Sequence, residues 1–286
     1  YVLWLDRRLK APKDGAWAMG AWLMGTGDAD TVRMIPNHLR SWAVKGFFLA
    51  FMIAIVPPNF GDFVRTDPRE ALTNPVWLAN YCISFMFVID VAFATAGYVL
   101  TFRPLDSHIR TANPYAAGWM AALICYPPFL LMGDGGPLDY HPGTADWTYW
   151  FANHPWVLAS LGAVLVALTG FYAWATVAFG MRFSNLTHRG VLTHGPYAFT
   201  RHPAYLAKNT FWWLSTIPML ATTGEWTDAA RNTFIMALVT GVYYWRAKTE
   251  ERHLREDPAY QEYDAWMERN GLVPRAFAAV KRTVWG

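Results

Sequence analysis

Residues 194–205, HGPYAFTRHPAY, place His194, Arg201, His202 and three aromatic rings within twelve positions, and an apolar run, LAKNTFWWLSTIPML, follows at once. Pro203 suits a first helical turn, where its missing N–H costs nothing, so a helix is expected to begin at about His202 or Pro203. His202, Tyr205 and Asn209 then stand three and four residues apart on one helical face, with Lys208 beside them. The start of a helix carries free N–H groups and partial positive charge, and so favours anionic or lone-pair-rich groups. Gly195-Pro196 marks a turn just upstream. By composition alone the stretch also reads as an interfacial aromatic belt with snorkelling Arg and Lys.

A second polar stretch, YYWRAKTEERHLREDPAYQEY, spans 243–263. Tyr243, Arg246 and Glu250 fall on one helical face, and Arg246 and Glu250 have the spacing of an i,i+4 ion pair. Tyr260 and Tyr263 belong to a second, amphipathic piece after Pro258. Such charge patterns commonly mark a solvated helix end. Glu250 and Glu251, however, lie within a few residues of an expected membrane boundary, where carboxylates need a partner or a ligand.

The elements that must position these groups are set by composition. Of 286 residues, 54% are hydrophobic and 16% charged, with sixteen Trp, fourteen Tyr and eighteen Phe. A soluble chain carries about 25% charged residues; this balance indicates an all-α, polytopic membrane protein. Six runs approach the roughly 20 apolar residues needed to cross a bilayer: 41–58, 76–101, 115–132, 156–179, 203–221 and 229–247. Pro57-Pro58 is expected to break the first, and Pro127-Pro128 to bend or shorten the third. Residues 11–32 read as interfacial. The run YVLWLDRR at 1–8 resembles an apolar end with a basic stop, and no cleavable signal peptide is visible.

Basic residues set the orientation. The loop 133–155 has no Lys or Arg but three Asp, whereas 102–114, 180–202, the segment before the first run and the tail after 245 carry Arg and Lys. Both termini and the polar cluster are therefore expected on the cytosolic side, where the two stretches can meet. Arg65 and Arg69, placed outside, run against the rule and are balanced by Asp62, Asp67 and Glu70. The chain divides into an N-terminal transmembrane part, 1–155, and a functional C-terminal part, 156–286.

Taken together, Gly195-Pro196-Tyr197, Arg201-His202-Pro203-Ala204-Tyr205 and Glu250-Glu251-Arg252-His253-Leu254 followed by Tyr260 and Tyr263 resemble the isoprenylcysteine carboxyl methyltransferase family and the wider set that includes phospholipid N-methyltransferases. FGMRFSNL, just upstream, looks like that family's element at the end of the preceding helix. The resemblance covers about 176–275 and implies a multi-pass methyltransferase with S-adenosyl-L-methionine as donor and a lipophilic small molecule or lipid entering from the bilayer. It implies cofactor contacts from Tyr197, Arg201, His202, Tyr205, Asn209, Tyr243, Glu250 and Glu251. Arg201 and Arg246 would pair a carboxylate or position the substrate head, and His202 or His194 would act as base for an amine or thiol acceptor. Faces of Tyr205, Tyr243 and Trp212 suit a sulfonium cation. Alanine at His202 or Glu251 is expected to abolish cofactor binding and leave the protein folded.

A related reductase group with a similar C-terminal core binds a nicotinamide nucleotide; its entry element has an Asn near the place of Pro203-Ala204. A scaffold without turnover is a third reading. No nucleic-acid partner and no metal are expected, the histidines His141, His154 and His188 lacking a metal spacing, and nothing in the sequence sets an oligomeric state. Cys82 and Cys125 read as small buried hydrophobes. Asp90, within an apolar run, is either a functional group or a helix–helix hydrogen bond beside Ala94 and Gly97.

Overall fold

The computed structural model describes residues 13–272 and 275; the expectations for residues 1–8 and the last residues of the tail lie outside them. The chain is built from helices, with a single two-stranded ribbon among the described residues. Helix α1 spans Gly15–Leu23, α2 Ala29–Arg65, α3 Pro68–Ala71, α4 Pro75–Val99, α5 Ala116–Leu123, α6 Trp147–Trp150, α7 Pro155–Phe179, α8 Pro203–Thr216, α9 Trp226–Leu254 and α10 Pro258–Asn270. Strands β1, Thr111–Ala112, and β2, Thr187–His188, pair antiparallel with Thr111 opposite His188.

Local sequence accounts for the boundaries. Asp28, Asn74 and Asp257 cap α2, α4 and α10 by accepting from the N–H groups of Thr31, Val76 and Ala259, and Pro75, Pro155, Pro203 and Pro258 occupy first turns. Helix α8 stops at Ile217, which is left-handed and precedes Pro218. No breaker interrupts α9, so apolar and charged halves form one 29-residue rod.

Among the described residues three helices, 29–65, 75–99 and the run 155–182, are long and apolar enough to cross a membrane, which makes this an integral membrane protein. Their outward faces are apolar, with Trp42, Ile53, Trp77, Phe93, Val164 and Trp174 all exposed, as a lipid-facing surface requires. The other expected runs differ. Helix α5 has eight residues, about 12 Å, and gives way to turns before Pro127-Pro128. Helix α8 has 14 residues, about 21 Å. Helix α9 has the length to span but mixes its apolar centre with Arg231 and Asn232 at one end and charges from Arg246 onward at the other. Pro57-Pro58 does not break α2, which continues to Arg65; both prolines are exposed, so their rings press on no neighbouring element. Residues 15–23, expected at the interface, form α1, which packs on α2.

Helices α2, α4 and α7 pack in series, Val44, Phe48 and Met52 against Val91, Ala94 and Tyr98, and Ala79 and Ile83 against Leu165. Asp90 resolves as a helix–helix contact: it accepts from Tyr172 Oη at 2.8 Å and from Thr176 Oγ1, both on α7. Gly97 lets the end of α4 touch the turn after α7. A Cβ there would lie 2.6 Å from the Phe183 carbonyl oxygen, which Arg189 Nη1 binds together with the Gly97 carbonyl, at 2.6 and 3.0 Å. Gly97→Ala should therefore cost about 1–3 kcal/mol, as overpacking does, whereas Gly241→Ala, with nothing within 4 Å, should be near neutral. Thermal unfolding in detergent distinguishes the two.

Candidate functional site

The end of α7, residues 182–192, the start of α8, the last turns of α9 and the face of α10 enclose a cleft of about 1240 Å³, open mouth included. His202, the residue before α8, and Glu251, in the last turns of α9, meet across it: His202 Nε2 lies 3.1 Å from Glu251 Oε1. One residue earlier on α9, Glu250 Oε1 accepts from Tyr205 Oη at 2.5 Å and from Arg246 Nε at 3.2 Å. The imidazole of His202 stacks on the Tyr205 ring, nearly parallel at 5.5 Å. Two stretches 45 residues apart in sequence thus form one hydrogen-bonded cluster, because Pro203 starts α8 at His202 and the unbroken α9 carries its charged end to the same level.

The two carboxylates play different parts. Glu250 lines the cleft. Glu251 is 2% exposed and is surrounded by His202, Lys248 Nζ at 2.8 Å and Arg255 Nη2 at 3.2 Å. Burial raises its carboxyl, but the hydrogen bonds and charges of His202 and Lys248 more than offset this, leaving it at about 2. With Glu251 ionised, His202 Nε2 carries a hydrogen toward Oε1, an assignment inferred from this network, and Nδ1 is left on the side of Glu250, 3.9 Å from Oε2.

Arg246 is 2% exposed. Its guanidinium lies 5.1 Å from the centre of the Tyr205 ring and 5.4 Å from that of Tyr126, and Nη2 donates to Asn185 Oδ1 at 2.5 Å. Asn185 is itself oriented by the Tyr98 hydroxyl, which accepts from its backbone N–H at 2.8 Å and from Nδ2 at 2.9 Å. Tyr243 lines the cleft and packs edge-on against Tyr205 and Trp212. Lys208 also lines it, its ammonium 5.2–5.8 Å from the ring centres of Tyr172, Trp212 and Tyr243.

Of the ten residues expected to bind the cofactor or act on the substrate, seven line the cleft: Tyr197, Arg201, His202, Tyr205, Tyr243, Arg246 and Glu250. Arg201 is partly spent on structure, its Nε 2.5 Å from Asp264 Oδ1 and Nη2 donating to the Asp264 carbonyl at 2.8 Å. The Tyr197 carbonyl accepts from Tyr263 Oη at 2.7 Å. These contacts fasten α10 over the cleft. His194, expected as a base, is exposed and precedes the 3-10 turn Gly195–Ala198, away from the lining. Asn209, expected at the cofactor, gives its Nδ2 to the Tyr205 carbonyl of its own helix at 2.8 Å. Asn113, Tyr126 and Asn185 line the cleft without having been singled out. Asn185 stands in the FSNL element; Asn113 and Tyr126 arrive through tertiary contacts that no local pattern encodes. Away from the cleft, Asp134, Asp139 and His141 gather ligand atoms within 4.8 Å of one another, with Asp139 already accepting from the backbone N–H groups of Gly135 and His141.

His253, which also lines the cleft, is 3% exposed and contacts Thr111 Oγ1 at 2.9 Å. Burial, helped by neighbouring His188 and Arg40, pulls it down to about 4. A base lowered on folding binds fewer protons in the native than in the unfolded state, so stability falls with pH between about 6.5 and 4 and is level below. The loss should reach about 3 kcal/mol and be flattened by His253→Gln, read as the thermal midpoint against pH.

The donor set fits S-adenosyl-L-methionine: ring faces for a sulfonium, the Glu250 carboxylate for hydroxyl or ammonium groups, and the Arg246 guanidinium for a carboxylate. Residues 161–256 match the model of the isoprenylcysteine carboxyl methyltransferase (ICMT) family, a stretch that contains most of α7, all of α8 and α9, and both motif blocks except Tyr260 and Tyr263. No curated protein and no solved structure matches the chain.

Proposed function

We propose that the protein is a membrane methyltransferase that uses S-adenosyl-L-methionine to methylate a lipophilic or membrane-partitioned substrate, with the part 156–286 as its core. The observation that carries this reading is that His202, Tyr205, Arg246 and Glu250 line one cleft, with the enclosed Glu251 holding His202, inside the region that matches a methyltransferase family. When bound, the cofactor supplies a methyl group on an already activated sulfonium.

The residues bind and orient. Glu250, with one oxygen held by Tyr205 and Arg246, offers the other to the cofactor. Arg246, fixed by Asn185, pairs a carboxylate. Tyr205 and Tyr243 present ring faces to a cation. Glu251 positions His202 and fixes its tautomer, so that Nδ1 can take a proton from an amine or thiol; a carboxylate acceptor needs no such base. Positioning and exclusion of water supply most of the rate. The acceptor enters from the bilayer past Tyr172, Thr176 and Phe179 of α7, which line the cleft. Arg103, Arg110 and Arg182 near the cleft's end of the helices favour a cytosolic active site and termini.

Calorimetric titration of the purified chain with S-adenosyl-L-methionine and with NADPH tests the reading. Binding of the first alone is expected. Binding of NADPH alone would replace it with a reductase, and binding of neither with a scaffold that has no turnover. Mass spectrometry of lipids and small thiols from cells with and without the gene then identifies the acceptor.

A further inference from the structure

A second cavity, about 1770 Å³ with its open mouth included, opens between α1, the first turns of α2 and residues 101–111. It flanks the β1–β2 ribbon on the side away from the methyl-transfer cleft: Thr111 lines the cavity, and its partner His188 lines the cleft. Its walls are mainly apolar, yet four cations, Lys13, Lys45, Arg103 and Arg110, stand around it against one lining carboxylate, Asp14. Among the described residues the guanidiniums have only long ion pairs, Arg103 at 3.5 Å from Asp14 and Arg110 at 3.7 Å from Asp106. The two ammoniums have no carboxylate within 4 Å among the described residues and rest on indole faces, Lys13 4.7 Å from the centre of Trp17 and Lys45 5.6 Å from that of Trp42.

The cavity lies at headgroup level. Lys45 is the last charge before the apolar run of α2, and residues 101–111 follow directly on the end of apolar α4. Trp17, Trp22 and Trp42 are exposed here, as interfacial tryptophans are. An excess of cations over carboxylates, set in an apolar wall at this depth, complements a phosphate with acyl chains attached; basic pockets beside membrane helices hold acidic headgroups in this way. A zwitterionic headgroup brings its own cation and gains less.

We propose that this cavity binds the headgroup of an anionic phospholipid. The proposal is independent of methyl transfer, and its test requires no turnover. The full chain is reconstituted in phosphatidylcholine nanodiscs, and tryptophan fluorescence is followed as phosphatidylglycerol replaces the host lipid, with native mass spectrometry counting retained lipids. Phosphatidylglycerol should be bound saturably and in preference to phosphatidylcholine. Lys45→Gln with Arg103→Gln should weaken that binding at least about tenfold. Lys13→Gln, which removes a charge with no carboxylate partner, should act in the same direction even if the double variant folds poorly. Arg65→Gln with Arg69→Gln, at the far end of α2 and in α3, is the matched control and should change nothing. No preference in the wild type, wild-type binding in both cavity variants, or an equal loss in the control would overturn the proposal. So would displacement of the lipid by millimolar inorganic phosphate, which would make this a free-phosphate site.

Discussion

Arg246→Met is expected to abolish cofactor binding and to lower stability by about 3 kcal/mol, the lower end of the cost of removing one partner from a buried ion pair. Arg246 is almost fully enclosed and donates to Glu250 Oε1 and Asn185 Oδ1 from two different nitrogens. Methionine fills much of the volume but leaves the Asn185 acceptor without its donor and Glu250 with Tyr205 alone. Arg246→Lys separates charge from geometry. A lysine keeps the cation but cannot fork toward both acceptors while lying between two rings. The lysine variant should therefore unfold at a temperature between those of wild type and Arg246→Met, and still bind S-adenosyl-L-methionine at least about 100-fold more weakly, a loss of about 2.7 kcal/mol. Calorimetry and thermal unfolding read the two effects separately. Wild-type affinity in the lysine variant would show that only the charge matters.

Glu251→Gln removes the hub of the other half of the cluster. Two cations, Lys248 and Arg255, and the His202 imidazole converge on this carboxylate, and folding lowers it from 4.5 to about 2. A carboxylate lowered on folding contributes stability that is fully present above pH 4.5 and is lost as pH falls toward 2. The shift alone corresponds to about 3 kcal/mol; Lys248 and Arg255 are nearly half exposed, so solvent screening reduces this to about 2 kcal/mol. Glutamine should thus lower the thermal midpoint at pH 7 and remove the acid-dependent loss between pH 4.5 and 2. It should also release His202 and weaken cofactor binding. Alanine at His202, which is less enclosed, should disturb the fold less than alanine at Glu251. If Glu251→Gln unfolds like wild type at neutral pH, the carboxylate does not serve as a hub.

The cleft was largely legible before any coordinates. Gly195-Pro196, Pro203 and Pro258 are conformational punctuation, and their consequences are local: a turn, a first helical turn, a second helix. The i,i+4 pair of Arg246 and Glu250 also follows from helical periodicity alone. Which carboxylate faces the cleft did not follow. Glu250 and Glu251 are adjacent on α9, and the placement of α8 and the cations Lys248 and Arg255 decides that one lines the cavity while the other is enclosed. His194 and Asn209 mark the same limit. Both lie beside motif residues, but a side chain's direction depends on the turn before α8 and on a competing backbone carbonyl.

The sequence by itself determined an apolar, helical membrane protein, the start of α8 at Pro203, and two polar stretches with methyltransferase-like spacing, because composition, proline stereochemistry and the helical period act over a few residues at a time. Only the tertiary structure decided how long each apolar helix runs, with three among the described residues long and apolar enough to span, that Asp90 joins α4 to α7, and that Asn185, Tyr126 and Asn113 reach the cleft. Those outcomes depend on which distant surfaces exclude solvent from one another, and that is a property of packing.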